Sequence, residues 1–256
     1  MVNHTMNVLA FFAHPDDETM LAGGTLALLA HTGARIHYLC ATRGEGGEIG
    51  EPPVCTLDEL RDEREREMRC AVETLSGKSL TFLDYVDPRV GPENEMYAYT
   101  HDINTLAKSV AEIITQVKAD VVLAHGSNGE YGHPSHVLSH QAAREAIARL
   151  GESAPNLYSV SASFPDHPKP RLSNRDEPAE LILDVTQVMD IKTKAALCHR
   201  TQHALFVRRS SASAGRQMSV AEVLVSVESL HRVRPPYKEP DLDTLYERLE
   251  PWSIKT

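Results

Sequence analysis

The chain lacks several features that would assign it to a common class of protein. None of its hydrophobic runs approaches the roughly 20 apolar residues that a membrane-spanning helix requires, although 41% of its 256 residues are hydrophobic. It has no basic stripe, and its formal net charge of −10 argues against a nucleic-acid-binding surface. Residues 1–5 lack the charged and apolar segments of a secretory signal. We therefore expect a cytoplasmic protein of ordinary globular composition that binds neither membranes nor nucleic acids.

Cysteines and nucleophile motifs are also scarce. The chain has four cysteines and no CxxC pair. They are Cys40, Cys55, Cys70 and Cys198. Because they lie far apart and none resembles half of a Cys-His pair, we expect buried thiols in a reducing compartment and no cysteine nucleophile. The absence of any GxSxG sequence argues against a serine hydrolase.

What the chain does contain is a regular alternation of apolar runs and helical patterns. The strand candidates lie near residues 8–12, 35–42, 80–85 and 119–124. The helix candidates lie near residues 18–32, 56–75, 102–117 and 134–150. This order predicts an α/β fold, a Rossmann-like three-layer sandwich with a mostly parallel sheet and right-handed crossovers.

The pattern changes beyond residue 155. Two further strand candidates lie near 157–162 and 181–185, and a helix candidate follows at 186–204. Residues 210–217 are small and polar, which favours a loop.

The domain organisation follows from the absence of internal repeats and of any linker. We expect a single domain over residues 1–256, with a motif-bearing core at about 6–205 and a C-terminal extension at about 206–256. The sequence does not set the oligomeric state, and a homo-oligomer is left open.

The most informative motif is His14-Pro15-Asp16-Asp17-Glu18, which directly follows the first apolar strand candidate. Functional groups in α/β proteins gather where parallel strands end at their C-terminal edge. An imidazole beside two carboxylates could hold a metal ion and leave one carboxylate free to move protons. A polar turn, held by local hydrogen bonds, is the alternative.

A second strand candidate, near residues 119–124, ends in another His-Pro loop. The loop reads His125-Gly-Ser-Asn-Gly-Glu-Tyr-Gly-His-Pro-Ser-His136. We expect both loops to meet at the C-terminal edge of the sheet and to form a metal site there. Imidazole and carboxylate ligands suit Zn²⁺, and two histidines with one carboxylate also suit Fe²⁺.

Together these loops resemble the PIG-L/LmbE-like family of zinc-dependent N-acetylglucosamine deacetylases. The two motifs that carry the resemblance are residues 13–18 and 128–136. Weaker matches are Thr42-Arg-Gly-Glu45, Arg64-Glu-Arg-Glu67 and the late pair Lys194-Ala-Ala196 with His199-Arg-Thr-Gln202. The resemblance runs from residue 8 to about residue 202.

The resemblance implies a role for each residue of the two loops. His14, Asp17 and His136 would bind zinc, and Asp16 would be the general base. His133 would be the second catalytic group, acting as an electrophile or an acid. Zinc and a protonated His133 could both stabilise the oxyanion of the tetrahedral intermediate, with help from Tyr131.

Several residues near these motifs carry alternative interpretations. His140 follows His136 at a spacing that also suits a metal ligand, and His125 could be either structural or part of the pocket. Arg64 lies in a dense charge run, so it is either on a solvated helix face or in contact with the substrate. Asp87 follows a strand where the family often places an aspartate, and we expect it to bind substrate together with Arg64 and Tyr131.

The predicted function is therefore that of a metal-dependent hydrolase. It would remove an acetyl or other acyl group from a small-molecule N-acetylated amino sugar, glycoside or related N-acyl compound. The alternative is a nucleotide- or metal-binding Rossmann-like module without hydrolase chemistry, which would use the glycine-rich loop at residues 44–50. That loop misses the GxGxxG spacing by one position.

Overall fold

The structure, a computed structural model, describes residues 5–234 and 244–254. Its centre is a seven-stranded sheet with the strand order β3-β2-β1-β4-β5-β9-β8. The strands of this sheet are β1 (Asn7–Phe12), β2 (Arg35–Thr42), β3 (Ser79–Tyr85), β4 (Val121–Ala124), β5 (Asn156–Val160), β8 (Leu181–Asp184) and β9 (Val227–Arg234). Strands β6 (Ala162–Ser163) and β7 (Asn174–Pro178) form a separate parallel pair.

The first five strands of the sheet pair in parallel, and the last two join it by antiparallel pairing. β1 pairs in parallel with both β2 and β4, and this places β1 in the middle of the parallel part. β9 pairs antiparallel with β5 on one side and with β8 on the other. The C-terminal ends of β1 and β4 are therefore neighbours, as the sequence predicts.

Helices cover both faces of the sheet. The helices are α1 (Asp17–His31), α2 (Leu60–Thr74), α3 (Ile103–Val117), α4 (Gly129–Gly132), α5 (Pro134–Leu150), α6 (Met189–Cys198), α7 (His203–Ala214), α8 (Val220–Val223) and α9 (Thr244–Leu249). Alternate residues of β1 enter different cores, because side chains of a strand point to opposite faces. Val8, Ala10 and Phe12 join the core that α1, α2, α6 and α9 cover. Leu9 and Phe11 join the core that α3 and α5 cover.

The predicted three-layer α/β fold with a mostly parallel sheet is confirmed. Within the described residues, no helix is both long and apolar enough to cross a membrane. Residues 1–4, on which the absence of a signal depends, and residues 235–243 and 255–256 of the predicted C-terminal extension lie outside the described part of the chain.

Two local predictions in the last third of the chain are wrong, and one strand was missed. The single helix expected over 186–204 is divided between α6 and α7, with a break at His199. Most of the expected loop at 210–217 belongs to α7 instead. Strand β9 was not expected at all, yet it lies inside the central sheet.

The expectation that all the cysteines are thiols is also wrong. Cys70, on α2, and Cys198, at the end of α6, form a disulfide with a Cα–Cα distance of 5.7 Å. Cys40 is a buried free thiol, and Cys55 is a partly buried one. Cysteine usage therefore no longer argues for a reducing compartment, and the cytoplasmic location stays a prediction.

Candidate active site

The first loop of the site turns sharply at the end of β1. Asp17 accepts a 2.9 Å hydrogen bond from the backbone N–H of His14. Between them, Asp16 has φ 107°, a left-handed conformation that residues other than glycine rarely adopt. This turn directs the side chains of Asp16 and Asp17 to different places, although the two residues are adjacent in sequence.

The second loop is organised around the buried carboxylate of Glu130. One oxygen accepts hydrogen bonds from His136 Nδ1 at 2.6 Å and from His125 Nδ1 at 3.0 Å. The other oxygen accepts from Gly126 N at 3.0 Å and Asn174 Nδ2 at 3.1 Å. Burial alone would raise the pKa of Glu130, but the two imidazoles outweigh it and hold the pKa well below its usual range.

The three predicted metal ligands converge on one point. His14 Nδ1 lies 3.2 Å from Asp17 Oδ2 and 3.3 Å from His136 Nε2. His136 Nε2 lies 3.3 Å from Asp17 Oδ1. Ligand atoms about 2.1 Å from a tetrahedral Zn²⁺ are separated from one another by about 3.4 Å. The spacing of the three residues therefore fits one metal ion, and all three are at least nine-tenths buried.

Two other histidines lie close by, but they face protein groups. His14, His133 and His136 form one group of potential ligands, and His125 joins Asp17 and His136 in the other. Its Nε2, however, accepts a 3.0 Å hydrogen bond from the backbone N–H of Ala13, which occupies the lone pair that a metal would need. His140 Nδ1 donates to the carbonyl of His125 at 2.9 Å. His125 and His140 thus support the loops rather than completing the ligand set.

His14, Asp17 and His136 together are called the ligand triangle below. His133 lies at the edge of this triangle, where α5 begins. Its ring centroid is 4.8 Å from that of His14 and 4.6 Å from that of His136. Its Nδ1 accepts the backbone N–H of Ser135 at 3.2 Å, so it serves as the N-cap of α5. Burial, reinforced by charge on the neighbouring imidazoles, lowers the pKa of His133 to about 3. Because Nδ1 accepts the hydrogen bond from Ser135, the neutral ring carries its hydrogen on Nε2.

Asp16 lies beside the ligands and is held by Arg64. Arg64 Nη2 donates to Asp16 Oδ2 at 3.0 Å and also to the carbonyl of Pro15. Burial raises the pKa of Asp16 to about 7, although the Arg64 charge acts in the opposite direction. Arg64 is 3% exposed, so the solvated-helix interpretation of this residue is wrong.

The glycine-rich loop at residues 44–50 packs against the guanidinium group of Arg64. A Cβ on Gly44 would lie 2.0 Å from Arg64 Nη1, and one on Gly47 would lie 2.5 Å from the same atom. Arg64 Nη1 also donates to the carbonyl of Gly44 at 3.0 Å. These two glycines therefore allow the loop to wrap around a guanidinium group, which gives no support to a phosphate-binding role.

The remaining predicted residues, Asp87 and Tyr131, contact different histidines of the site. Asp87 Oδ1 is 3.2 Å from His14 Nε2, the ring nitrogen that points away from the triangle. Metal-binding histidines commonly orient their second nitrogen toward a carboxylate in this way. Tyr131 is 43% exposed, and its ring packs edge-on against His133 and His136. Substrate contacts by Arg64, Asp87 and Tyr131 stay predictions.

Sequence reasoning missed two buried pairs that shape the site. Glu130 lies within the second motif, but the sequence predicted no role for it, and its partner Asn174 is 44 residues away. Glu18 occupies the expected first turn of α1, but it is fully buried and accepts a 2.8 Å hydrogen bond from His199 Nε2. The late His-x-Thr-Gln match was the signal that could have identified the second pair.

A family sequence model described as PIG-L: GlcNAc-PI de-N-acetylase matches residues 9–147, which include both loops of the site. A protein of Rhodococcus erythropolis, named 1D-myo-inositol 2-acetamido-2-deoxy-alpha-D-glucopyranoside deacetylase, is 28% identical over 269 residues. The match covers 89% of this chain and 91% of that protein. Other relatives of the same name match over only 51–55% of their own length.

Solved structures share the fold across different reactions. The 4-carboxy-2-hydroxymuconate hydratase GalB from Pseudomonas putida has a TM-score of 0.63 and 25% identity, covering 93% of this chain and 100% of that one. N,N'-diacetylchitobiose deacetylase from Pyrococcus horikoshii has a TM-score of 0.61 and 21% identity, covering 89% and 83%. A hydratase and a deacetylase thus both resemble the overall architecture.

Proposed function

Because the chain belongs to the GlcNAc-PI de-N-acetylase family, we propose that it is a metal-dependent N-deacetylase acting on an N-acetylated amino sugar. The observation that carries the proposal is the ligand triangle of His14, Asp17 and His136, with the carboxylate of Asp16 and the N–H of His133 beside it. The family relationship alone would leave the chemistry of this chain open, because fold does not imply function.

The donor set of the triangle suits Zn²⁺, with Fe²⁺ as the alternative. Glu130 fixes the Nδ1–H tautomer of His136, which leaves the Nε2 lone pair directed into the triangle. When bound, the ion would acidify a water molecule until it is a nucleophile near neutral pH, and would polarise the acyl carbonyl.

Asp16 is the proposed general base. It is adjacent to the ligand Asp17, but its own carboxylate is turned toward Arg64 rather than into the triangle. In the proposed reaction, Asp16 takes a proton from the attacking water and delivers it to the nitrogen of the leaving amine. The C–N bond then breaks, and the products are acetate and the free amino sugar.

His133 is the proposed oxyanion stabiliser. Because its Nδ1 caps α5, the neutral ring presents Nε2–H as a donor to the oxygen that becomes negative during attack. With Nδ1 engaged in the cap, His133 is better suited to act as an electrophile than as an acid, the two roles that the sequence left open. Protonation of Nδ1 would break the cap, so a doubly protonated ring is disfavoured in this arrangement.

The proposed substrate is a glycoside of N-acetylglucosamine. Its support is the shared name of the curated relatives, which are deacetylases of an inositol glycoside of this sugar. The hydratase among the similar structures also adds water to its substrate, so hydration of an unsaturated acid is the competing reaction.

The test pairs metal analysis of the purified protein with two activity assays. We expect close to one equivalent of zinc or iron per chain, and acetate release from N-acetylglucosamine or its glycosides that a chelator abolishes. Hydration of an unsaturated acid without acetate release would favour the hydratase alternative. Failure to bind either metal would overturn the ligand set.

Variants separate the proposed roles. Asp16→Asn should retain metal and lower kcat by about 10²- to 10⁴-fold, because general-base catalysis contributes that much.

His133→Phe should also retain metal and lower kcat by about 10²- to 10³-fold, as removal of an oxyanion donor does. Loss of metal from His133→Phe would make His133 a ligand instead. His14→Ala should lose metal and activity together.

A further inference from the structure

The late motif at residues 199–202 reaches the site although it lies far along the chain. His199 is fully buried at the break between α6 and α7. Its Nε2 donates to Glu18 Oε1 at 2.8 Å across a separation of 181 residues. Its Nδ1 has no hydrogen-bond partner within the described residues. The hydrogen bond to Glu18 is thus the polar contact that His199 makes through its ring within the described residues.

Glu18 connects His199 to the backbone of Asp16, because its carboxylate accepts a hydrogen bond from each. Its Oε2 accepts the N–H of Asp16 at 2.9 Å, while Oε1 accepts from His199 and from Thr19 Oγ1. A residue other than glycine at φ 107° is strained, and this conformation persists only when its surroundings hold it in place. Glu18 supplies such a constraint on the main chain of Asp16.

Helix α2 connects the same two regions from the other side. Arg64 binds the carboxylate of Asp16, and one turn later Glu67 accepts the N–H and the hydroxyl of Thr201, both at 2.7 Å. The disulfide between Cys70 and Cys198 lies a further turn along the same helix. The segment that carries His199 is therefore fixed to the helix that carries the side-chain partner of Asp16.

We propose that His199 is a positioning residue that acts through Glu18 to hold Asp16 in its left-handed conformation beside the metal ligands. The proposal rests on the assignment of Asp16 as the base. Without the His199 N–H, the buried Glu18 carboxylate would lose a charge-assisted hydrogen bond and its fixed orientation. The N–H of Asp16 would then lose its acceptor, and the Asp16 carboxylate would move relative to the bound substrate.

Two polar substitutions at one position provide the test. Glutamine places an amide nitrogen near the position of Nε2 and can still donate to Glu18, whereas the shorter asparagine cannot reach it. We expect His199→Gln to have a kcat close to that of the wild-type protein. His199→Asn should keep its metal and its KM but lose about 10- to 100-fold in kcat, the usual cost of removing an outer-shell partner.

Hydrogen exchange gives a readout that does not require turnover. The amide of Asp16, followed by mass spectrometry of a peptide over residues 13–20, should exchange faster in His199→Asn than in His199→Gln. His231→Asn is the control, because His231 pairs with Glu180 at 3.0 Å and contacts none of the site residues described above.

The outcomes separate failure of the positioning role of His199 from failure of the deacetylase assignment. Unchanged exchange and unchanged kcat in His199→Asn would overturn the positioning role. Equal loss of metal from both His199 variants would also overturn it, because His199 would then support the metal loop as a whole. If the wild-type protein releases no acetate, the deacetylase assignment fails, and the exchange of the Asp16 amide still decides whether His199 holds that backbone.

Discussion

At the scale of single residues, the carboxylate of Glu130 joins several segments of the chain by hydrogen bonds. It accepts two imidazole N–H groups, one backbone N–H and the amide of Asn174. Its own backbone has φ 57°, so the structure tolerates an unfavourable conformation in order to place this side chain.

Replacement of Glu130 tests this role. In Glu130→Gln, an NH₂ group would face donors where an acceptor is needed, and His136 would lose its orientation. We expect metal affinity to fall by about 10- to 100-fold, measured by competition with a chromophoric chelator. The matched control is Glu180→Gln, because Glu180 is a partly buried carboxylate that pairs at 3.0 Å with His231 on β9, outside the ligand triangle. Wild-type affinity in Glu130→Gln would contradict the role.

The residue scale also shows what the sequence could and could not predict. The two His-Pro loops were predictable as a site because both follow apolar strand candidates and hold ligand-type side chains close together. The roles of Glu18 and Glu130 were not predictable, because a buried carboxylate is recognised by the donors around it. Those donors come from distant segments of the chain, such as His199 and Asn174.

At the scale of elements, α1 depends on a close approach at Gly24. A Cβ at this position would lie 2.5 Å from the Cβ of Val185. The backbone N–H groups of Gly24 and Thr25 donate to the carboxylate of Glu228 on β9 at 2.8 and 2.7 Å. The buried Lys192 of α6 neutralises that carboxylate at 2.7 Å. Helix α1, strand β9 and helix α6 are thus joined next to Gly24 through the carboxylate of Glu228.

Two neighbouring alanine substitutions measure this approach. Gly24→Ala should lower the free energy of unfolding by about 1–3 kcal/mol, because overpacking a rigid contact costs that much. Gly23→Ala should cost less, since its Cβ would lie 3.2 Å from the Cγ of Lys192, a smaller overlap than at Gly24, and alanine gains about 1 kcal/mol in helix propensity. Urea denaturation gives both values. Equal effects would show that the Val185 contact is not limiting.

The same cluster explains why β9 was not predicted. The strand reads Val-Glu-Ser-Leu-His-Arg-Val-Arg, and its Glu228 and Arg232 are buried. A strand whose inward positions carry charge lacks the alternation by which strands are recognised. Strands β1 to β4 were predictable, because each apolar run is followed along the chain by its own helix before the next strand begins.

At the scale of the whole molecule, the disulfide closes a long segment of chain. Cys70 and Cys198 lie 128 positions apart, and the segment between them includes the second loop of the site but not the first. A crosslink over a loop of this size restricts the unfolded chain and stabilises the folded state in the chain-entropy model.

Removal of the crosslink should therefore be measurable. The Cys70→Ser/Cys198→Ser double variant should lose about 2–4 kcal/mol of unfolding free energy, measured by chemical denaturation without reductant. Cys55→Ser is the control, because Cys55 is a free, partly buried thiol. A double variant as stable as the wild-type protein would show that the crosslink adds nothing.

The position of β9 within the sheet also governs the order in which the protein can be completed during synthesis. All the proposed ligands and catalytic groups lie before residue 137, but β5 acquires its second neighbour only when residues 227–234 have left the ribosome. Until then β5 is an open edge that can pair with another nascent chain. A newly made chain could therefore possess every catalytic side chain while still depending on its last strand, and on any chaperone that shields β5, to avoid aggregation.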